Sequence, residues 1–221
     1  MKNITDLTGF DVGVVSESFA ENFFQVKYPH ITIKAFENAE KMVEAAIAGK
    51  IKVFVCEAEI AKFIMHKPYI RTRFRYHPDR PLATCRLYPA VRKGNEALKE
   101  LVQAGIITMP STQAIVNQDQ QKSLIIALPP AGAPYAVTSP DGTLTGLGPA
   151  LFRAWAAKAK VNIKIVTSDS WDEMYQMLKD EKIDLAAIPA DPDDFSNFKM
   201  MPSNIKIDYY VYYNKYGDER A

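Results

Sequence analysis

The chain is poor in the residues that staple, ligate or span. Of 221 residues, two are cysteine and three are histidine. Cys56 and Cys85 form no CxxC pair, and both lie in apolar, strand-like runs. That pattern favours two buried thiols over a bridge and excludes a disulfide framework. His30, His66 and His77 are scattered through the first half, with no HExxH and no Cys/His cluster, so neither a metal site nor a cofactor is implied. No apolar run has the length a membrane crossing needs. Residues 1–6 carry no apolar signal core, so nothing exports the chain as written. Charge of one sign is also lacking: 27 Lys and Arg face 26 Asp and Glu, a net charge of +1. Net charge therefore gives no electrostatic reason to expect nucleic acid or an anionic membrane as partner. Neither GxSxG, GxGxxG nor a phosphate loop occurs, and the adjacent Asp193 and Asp194 read as a charged turn rather than a catalytic pair. The expectation is that the protein is not an enzyme.

What is present is ordinary globular material, 48% apolar and 24% charged, in a length that suits one large domain or two small ones. Apolar periodicity reads as alternating strands and helices. Residues 12–15 form a short apolar strand. The polar Ser16, Glu17 and Ser18 open a helix with Phe19, Phe23 and Phe24 as its stripe, and Pro29 ends that element. A strand at 31–33, a helix over 39–48 closed by Gly49, and a strand at 53–55 follow.

The second half repeats the scheme. Residues 124–128 read as a strand. A helix over 149–160 turns Leu151, Phe152, Trp155 and Ala159 inward. A strand at 161–166 follows, then a helix over 170–179 capped by Ser170, then a strand at 183–188. "ITIKAFENAEKMVEAAIAGKIKVFV" and "VNIKIVTSDSWDEMYQMLKDEKIDLAAI" share one rhythm of strand, turn, helix, polar turn and strand. Two βαβαβ units imply two parallel-sheet lobes with right-handed crossovers and ligands at the carboxyl ends of the strands; a single doubly wound sheet with an accidental repeat is the alternative. Between the units, residues 74–87 read as irregular strand and loop, and 96–104 as a helix stopped by Gly105. A further helix, opened at Pro110, runs to Gln121, and 118–123 is the linker. Residues 205–213 are tyrosine-rich and strand-like.

Several stretches resemble the type II periplasmic solute-binding, or Venus-flytrap, superfamily, in its amino-acid-binding branch. "DLTGFDVGVVSES" resembles the entry into that family's lobe 2, and "GKIKVFVCE" its Gly-Lys strand end. "AVRKGNEALKELVQAGI" is similar to the return strand and C-terminal helix. "LIIALPPAGAPYAVTSPDGTLTGLGPALFRAWAAK" and "SWDEMYQMLKDEKIDLAAI" resemble the opening of lobe 1. The resemblance implies a two-lobed α/β fold. It divides the chain into a lobe 2-like βαβαβ unit at 1–91, return helices and a linker at 92–123, and a lobe 1-like βαβαβ unit at 124–221. The family order is thereby permuted, which fits either a hinge-permuted flytrap or a slice across a tandem array. "YPAVRKGNEAL" is similar to the extracytoplasmic sensor regions of bacterial diguanylate cyclases and histidine kinases.

Five residues are the ligand-binding candidates: Ser16, Ser18, Glu57, Tyr135 and Trp171. Ser16 and Ser18 begin a helix directly after a strand, where free N–H groups and the helix dipole suit an anion; a plain N-cap is the alternative. Glu17 between them is expected to face solvent. Glu57 stands where the family usually has an aspartate that pairs with a ligand ammonium. Tyr135 and Trp171 resemble the family's aromatic walls, whereas Trp155 lies in a helix stripe and reads as core. The family's carboxylate-gripping arginine has no counterpart in "LAAIPADPDDFSNFKMM", which instead holds Asp191, Asp193 and Asp194. The resemblance thus implies a periplasmic or extracytoplasmic small-ligand sensor region of a membrane-anchored signalling protein. Its partner is a small polar ligand, amino-acid-like or an organic acid or amine. A homodimer or lobe swap fits as well; no nucleic acid is expected, and membrane contact comes only through flanking segments. A solute-binding protein of an ABC transporter and a structural flytrap module without ligand are the alternatives.

Overall fold

The computed structural model describes residues 4–107, 123–128, 132–190, 198–201 and 205–215. The chain forms two compact units, Met1–Cys85 with Ile207–Ala221 and Arg86–Lys206.

Unit 1 runs through β1 (Val12–Val15), α1 (Phe19–Lys27), β2 (Ile33–Phe36), α2 (Ala39–Ile47), β3 (Val53–Glu57), α3 (Ala58–Ile64), α4 (Pro68–Arg71) and β4 (Phe74–Arg75). Strand β1 lies between β2 and β3, parallel to both, with Val12 opposite Ile33 and Val53. Its residues Val12 and Val14 are fully buried, as is β3 from Val53 to Cys56, the near-continuous burial that parallel strands covered on both faces require. Gly13 is dictated by packing: a Cβ there would overlap the Ile51 side chain and come within 3.1 Å of Phe54 Cβ. Helix α2 turns Met42, Val43 and Ala46 into the same core and ends, as its glycine predicts, with Gly49 at a positive φ of 74°.

Strand β5 (Ala83–Arg92) carries the chain from unit 1 into unit 2. Unit 2 continues through α5 (Glu96–Ile107), β6 (Leu124–Leu128), the hairpin β7 (Val137–Thr138) and β8 (Leu144–Thr145), α6 (Leu147–Ala159), β9 (Ile163–Thr167), α7 (Trp171–Lys179), β10 (Leu185–Ala190) and β11 (Phe198–Met200). Strand β6 lies between β9 and β10, parallel to both. Strand β5 adds antiparallel to β10, and β11 antiparallel to β5. One buried cluster, with Met174, Leu178, Ile183 and Ile188, packs α7 on the sheet. A second, with Val91, Leu98, Val102, Ile126 and Leu185, joins α5 and α6 to it, and Phe152 and Trp155 pack against it. The core role read for Trp155 is thus observed.

Strand β12 (Lys206–Asn214) returns the chain to unit 1, where it pairs antiparallel with β3 and lays Tyr212 flat on Phe54, ring centroids 5.2 Å apart. In unit 1, Leu82 N–H donates to the Tyr209 carbonyl at 2.8 Å, and Thr84 Oγ1 to Asp208 Oδ1 at 2.6 Å. In unit 2, Leu87 N–H donates to the Ile205 carbonyl at 3.1 Å.

The architecture is the α/β one expected, each unit a mostly parallel sheet flanked by helices. Cys56 and Cys85 bear out the reading of two buried thiols, and three local readings change. Helix α5 passes through Gly105 to Ile107 instead of stopping there; a glycine costs about 1 kcal/mol inside a helix, which burial of Leu98 and Val102 outweighs. Residues 83–92 are one ten-residue strand despite Pro89, whose carbonyl still accepts from Met201 N–H at 2.9 Å. Pro89 itself donates no amide to the ladder. Leu151 is 56% exposed, because the buried stripe of α6 runs through Phe152, Trp155, Ala156 and Ala159, and one residue along a helix turns a side chain by about 100°. The helix read at 110–121, the linker through residue 122 and the acidic Asp191, Asp193 and Asp194 lie outside the described residues.

Candidate functional site

Unit 1 gathers three of the five sequence candidates at one sheet edge. Strands β1 and β3 are parallel neighbours, so Ser16, the residue after β1, and Glu57, the last residue of β3, both stand at the carboxyl ends of their strands. The main chain turns sharply here. Ser16 N–H donates to the Phe36 carbonyl at 2.8 Å, and Glu17 takes a left-handed φ of 57° and is exposed, as expected. Ser18 is the N-cap of α1, its Oγ accepting from Glu21 N–H at 3.3 Å, while the Glu21 carboxylate accepts from Glu17 N–H at 2.6 Å. This is a capping box shifted by one residue, with Glu21 taking the amide before the cap in place of the cap's own, and it places a carboxylate of the chain itself on the helix start. Ser18 is thus the cap of α1.

Glu57 ends β3, is half-buried and accepts a hydrogen bond on Oε1 from Tyr209 Oη at 2.7 Å. The two residues are also backbone neighbours across the β3–β12 ladder, so the side-chain bond is short-range in space though 152 residues long in sequence. Burial, then the Glu57 charge, drives the Tyr209 phenol well above its ordinary 10, so it stays a proton donor across the physiological range. The Phe19 ring covers Tyr209 at 4.9 Å between centroids, which brings the start of α1 against the Glu57–Tyr209 pair. The Cys85 thiol is pushed up to about 12 by burial, then by the negative charges of Glu57 and Asp208. That unit 1 edge is therefore acidic, with Glu57 and Asp208 on neighbouring strands.

Unit 2 holds the other two candidates. Strands β6 and β9 end in register at Leu128 and Thr167, so the connections that leave them start from one sheet edge. Tyr135, half-buried, lies on the long connection from β6 to α6, and main-chain bonds fix it: its carbonyl accepts from Gly148 N–H at 2.9 Å, and the Pro134 carbonyl from Leu147 N–H at 3.0 Å. The first turn of α6 is thus satisfied by the Tyr135 loop. Gly146 makes that approach feasible, since with its φ of 117° any Cβ would lie 2.6 Å from the Tyr135 carbonyl oxygen. Trp171 begins α7 after the Ser170 cap, whose Oγ accepts from Glu173 N–H at 3.0 Å, and its half-buried ring packs on the Met174 and Leu178 cluster. Ser168, one residue beyond β9, is buried, and its Oγ has no partner among the described residues.

Sequence reading missed Tyr209, Phe19 and Asp208 as neighbours of Glu57. Phe19 reads as helix stripe, and only the tyrosine-rich composition of residues 205–213 hinted that the last strand does more than pack. No cluster of three or more potential metal ligands occurs among the described residues.

Residues 124–193 match the family model of bacterial extracellular solute-binding proteins, family 3. The match begins where the second βαβαβ unit was read from the sequence. A search of curated proteins finds no match. The chain is similar to the regulatory domain of HypT from Salmonella typhimurium, at 11% identity and a TM-score of 0.54, over 93% of this chain and 85% of that one. It is similar to the effector-binding domain of a BenM variant at 12% identity and a TM-score of 0.52, over 94% and 86%. Against the periplasmic domain of BvgS from B. pertussis the identity is 11% and the TM-score 0.47, over 95% of this chain but 38% of that one. The fold is the two-lobed fold of type II periplasmic binding proteins, and the family match supports a ligand-binding flytrap module.

Proposed function

We propose that the chain is the small-ligand-binding part of an extracytoplasmic sensor and that its solute carries a cationic, amine-like group which Glu57 receives. The observation that carries this reading is the Glu57–Tyr209 pair at the carboxyl end of β3. A carboxylate held there by a buried phenol 2.7 Å away is oriented in advance, with Asp208 adding negative charge on the next strand. An ammonium that meets such a group with water excluded gains a charge-assisted hydrogen bond. Ser16 contributes its hydroxyl from the neighbouring strand end, and Ser18 fixes the turn through its cap. Tyr135 and Trp171 are the candidates of unit 2, each supplying a flat ring with a polar tip. The sensor role is supported by the likeness of residues 88–98 to sensor flytraps and by the extracellular solute-binding model matched at 124–193.

A thermal-shift screen over polyamines, amino acids, carboxylates and nucleosides tests the proposal. Binding at about 100 times Kd adds about 2.7 kcal/mol of apparent stability. The expected result is stabilisation by amine-bearing solutes that Glu57→Gln abolishes. Stabilisation by carboxylates alone, unchanged in Glu57→Gln, overturns the cationic assignment. No stabilisation by any class overturns ligand binding itself.

A further inference from the structure

The net charge of +1 hides a strongly uneven distribution. Residues 62–81 hold six of the 27 Lys and Arg and one of the 26 Asp and Glu, a local charge of +5 against −4 for the rest of the chain. The six are Lys62, Lys67, Arg71, Arg73, Arg75 and Arg80, all exposed. Lys62 is paired with Glu59 at 2.6 Å, and Arg73 donates to the Ile47 carbonyl that ends α2. No described carboxylate lies within ion-pair distance of Lys67, Arg71, Arg75 or Arg80. The backbone sorts these residues by face. Phe74 is buried in the unit 1 core, so the pleat of β4 turns its neighbours Arg73 and Arg75 outward. Ile70 likewise anchors α4 and leaves Tyr69 and Arg71 outside.

Aromatic rings stand among the cations. Phe63 is 49% exposed, Tyr69 61% and Tyr76 39%, although rings of this size are ordinarily driven inward. Tyr76 is held in place by Tyr210 and Tyr212, with ring centroids 5.2 and 5.1 Å away, so its exposure is a fixed feature of the surface.

We propose that residues 62–81 of unit 1 form a docking face for an anionic lipid surface. Free cations at both ends of α4 (Lys67 and Arg71), on β4 (Arg75) and in the loop after it (Arg80) suit a diffuse layer of phosphate headgroups, which accepts positive charge at any spacing. The exposed tyrosines and Phe63 suit the headgroup boundary, where amphipathic rings gather with Lys and Arg. This inference does not depend on the solute proposed above.

The test is co-sedimentation of the full chain with vesicles of equal parts phosphatidylglycerol and phosphatidylcholine, and with vesicles of phosphatidylcholine alone. The expected result is binding to the anionic vesicles only, lost at about 1 M salt, where screening shortens to about 3 Å. Each cation removed should weaken binding about fivefold, so Arg71→Gln/Arg75→Gln/Arg80→Gln weakens it about a hundredfold while its circular dichroism stays native. Lys158→Gln/Lys160→Gln/Lys164→Gln removes the same charge from exposed positions of unit 2 and should leave binding unchanged. Equal loss in both variants, equal binding to neutral vesicles, or no binding at low salt overturns the proposal. So does tighter binding to an acidic peptide or a single-stranded oligonucleotide than to the vesicles.

Discussion

The two units build the same three-stranded parallel core, first strand in the middle, yet they start their first crossover helices by opposite means. In unit 1 the helix follows β1 after three residues and is closed by its own Ser18 and Glu21. In unit 2 the connection from β6 to α6 holds a hairpin, and the helix start has no side-chain cap; carbonyls of Pro134 and Tyr135 take its first amides. The same orphan donors must be satisfied at both places. Where the loop is short, a side chain does it. Where the loop is long, the loop itself is drawn back onto the helix, and its position becomes part of the helix. A ring on that loop is thereby placed as firmly as one on the sheet.

The sharpest way to separate the units is alkaline pH. The strongly raised groups, Cys56, Cys85, Tyr209 and Tyr212, all belong to unit 1. Each keeps its proton in the folded state above the pH where the unfolded chain releases it, so each contribution is intact below the ordinary value and falls as pH rises. The loss begins near 9 for the thiols and 10 for the phenols, at about 1.4 kcal/mol per pH unit for each group. By about pH 11 unit 1 should lose several kcal/mol, and hydrogen exchange should show its amides opening before those of unit 2. Simultaneous opening breaks the distinction. Tyr209→Phe should flatten the slope.

Core truncation comes next. Phe54→Ala should cost about 3–5 kcal/mol and Met174→Ala about 2–5 kcal/mol, each read as lost exchange protection in its own unit. Gly146→Ala should cost about 1–3 kcal/mol, since its methyl must push the Tyr135 carbonyl off the start of α6. The thermal midpoint should fall, and any stabilisation by solute should fall with it if Tyr135 contacts the ligand. The smallest effect is at the caps. Ser18→Ala and Ser170→Ala should each cost about 1 kcal/mol in chemical denaturation, equally, because both helices use Ser-x-x-Glu boxes.

The repeat was legible because its signals are local. Ser170 three residues before Glu173, Gly49 after Ile47 and the apolar runs at 12–15 and 124–128 each settle an element within a turn or two. What sequence could not supply are pairings over long separations. The start of strand β5 was read as irregular strand and loop because Pro78 and Pro81 mask a strand whose partners, β10 and β11, lie about a hundred residues on. Tyr209 was invisible as the partner of Glu57 because nothing in residues 205–213 says that β3 lies beside them. Leu151 was misplaced because four apolar residues in α6 compete for one stripe. The basic face was overlooked because a total near zero was taken for an even distribution.

Unit 2 is one unbroken stretch of chain, Arg86–Lys206, set inside a unit 1 that comes in two pieces. Protein synthesis meets these in order. The ribosome releases the first piece of unit 1 without β12, so Phe54 emerges about 150 residues before Tyr212, the ring that covers it. At about 5–20 residues per second this leaves an apolar strand edge waiting for roughly eight to thirty seconds. Unit 2 has every strand it needs once residue 206 has cleared the exit tunnel. The second unit to be translated is thus the first that can finish folding, and unit 1 depends on whatever shields β3 in the interval.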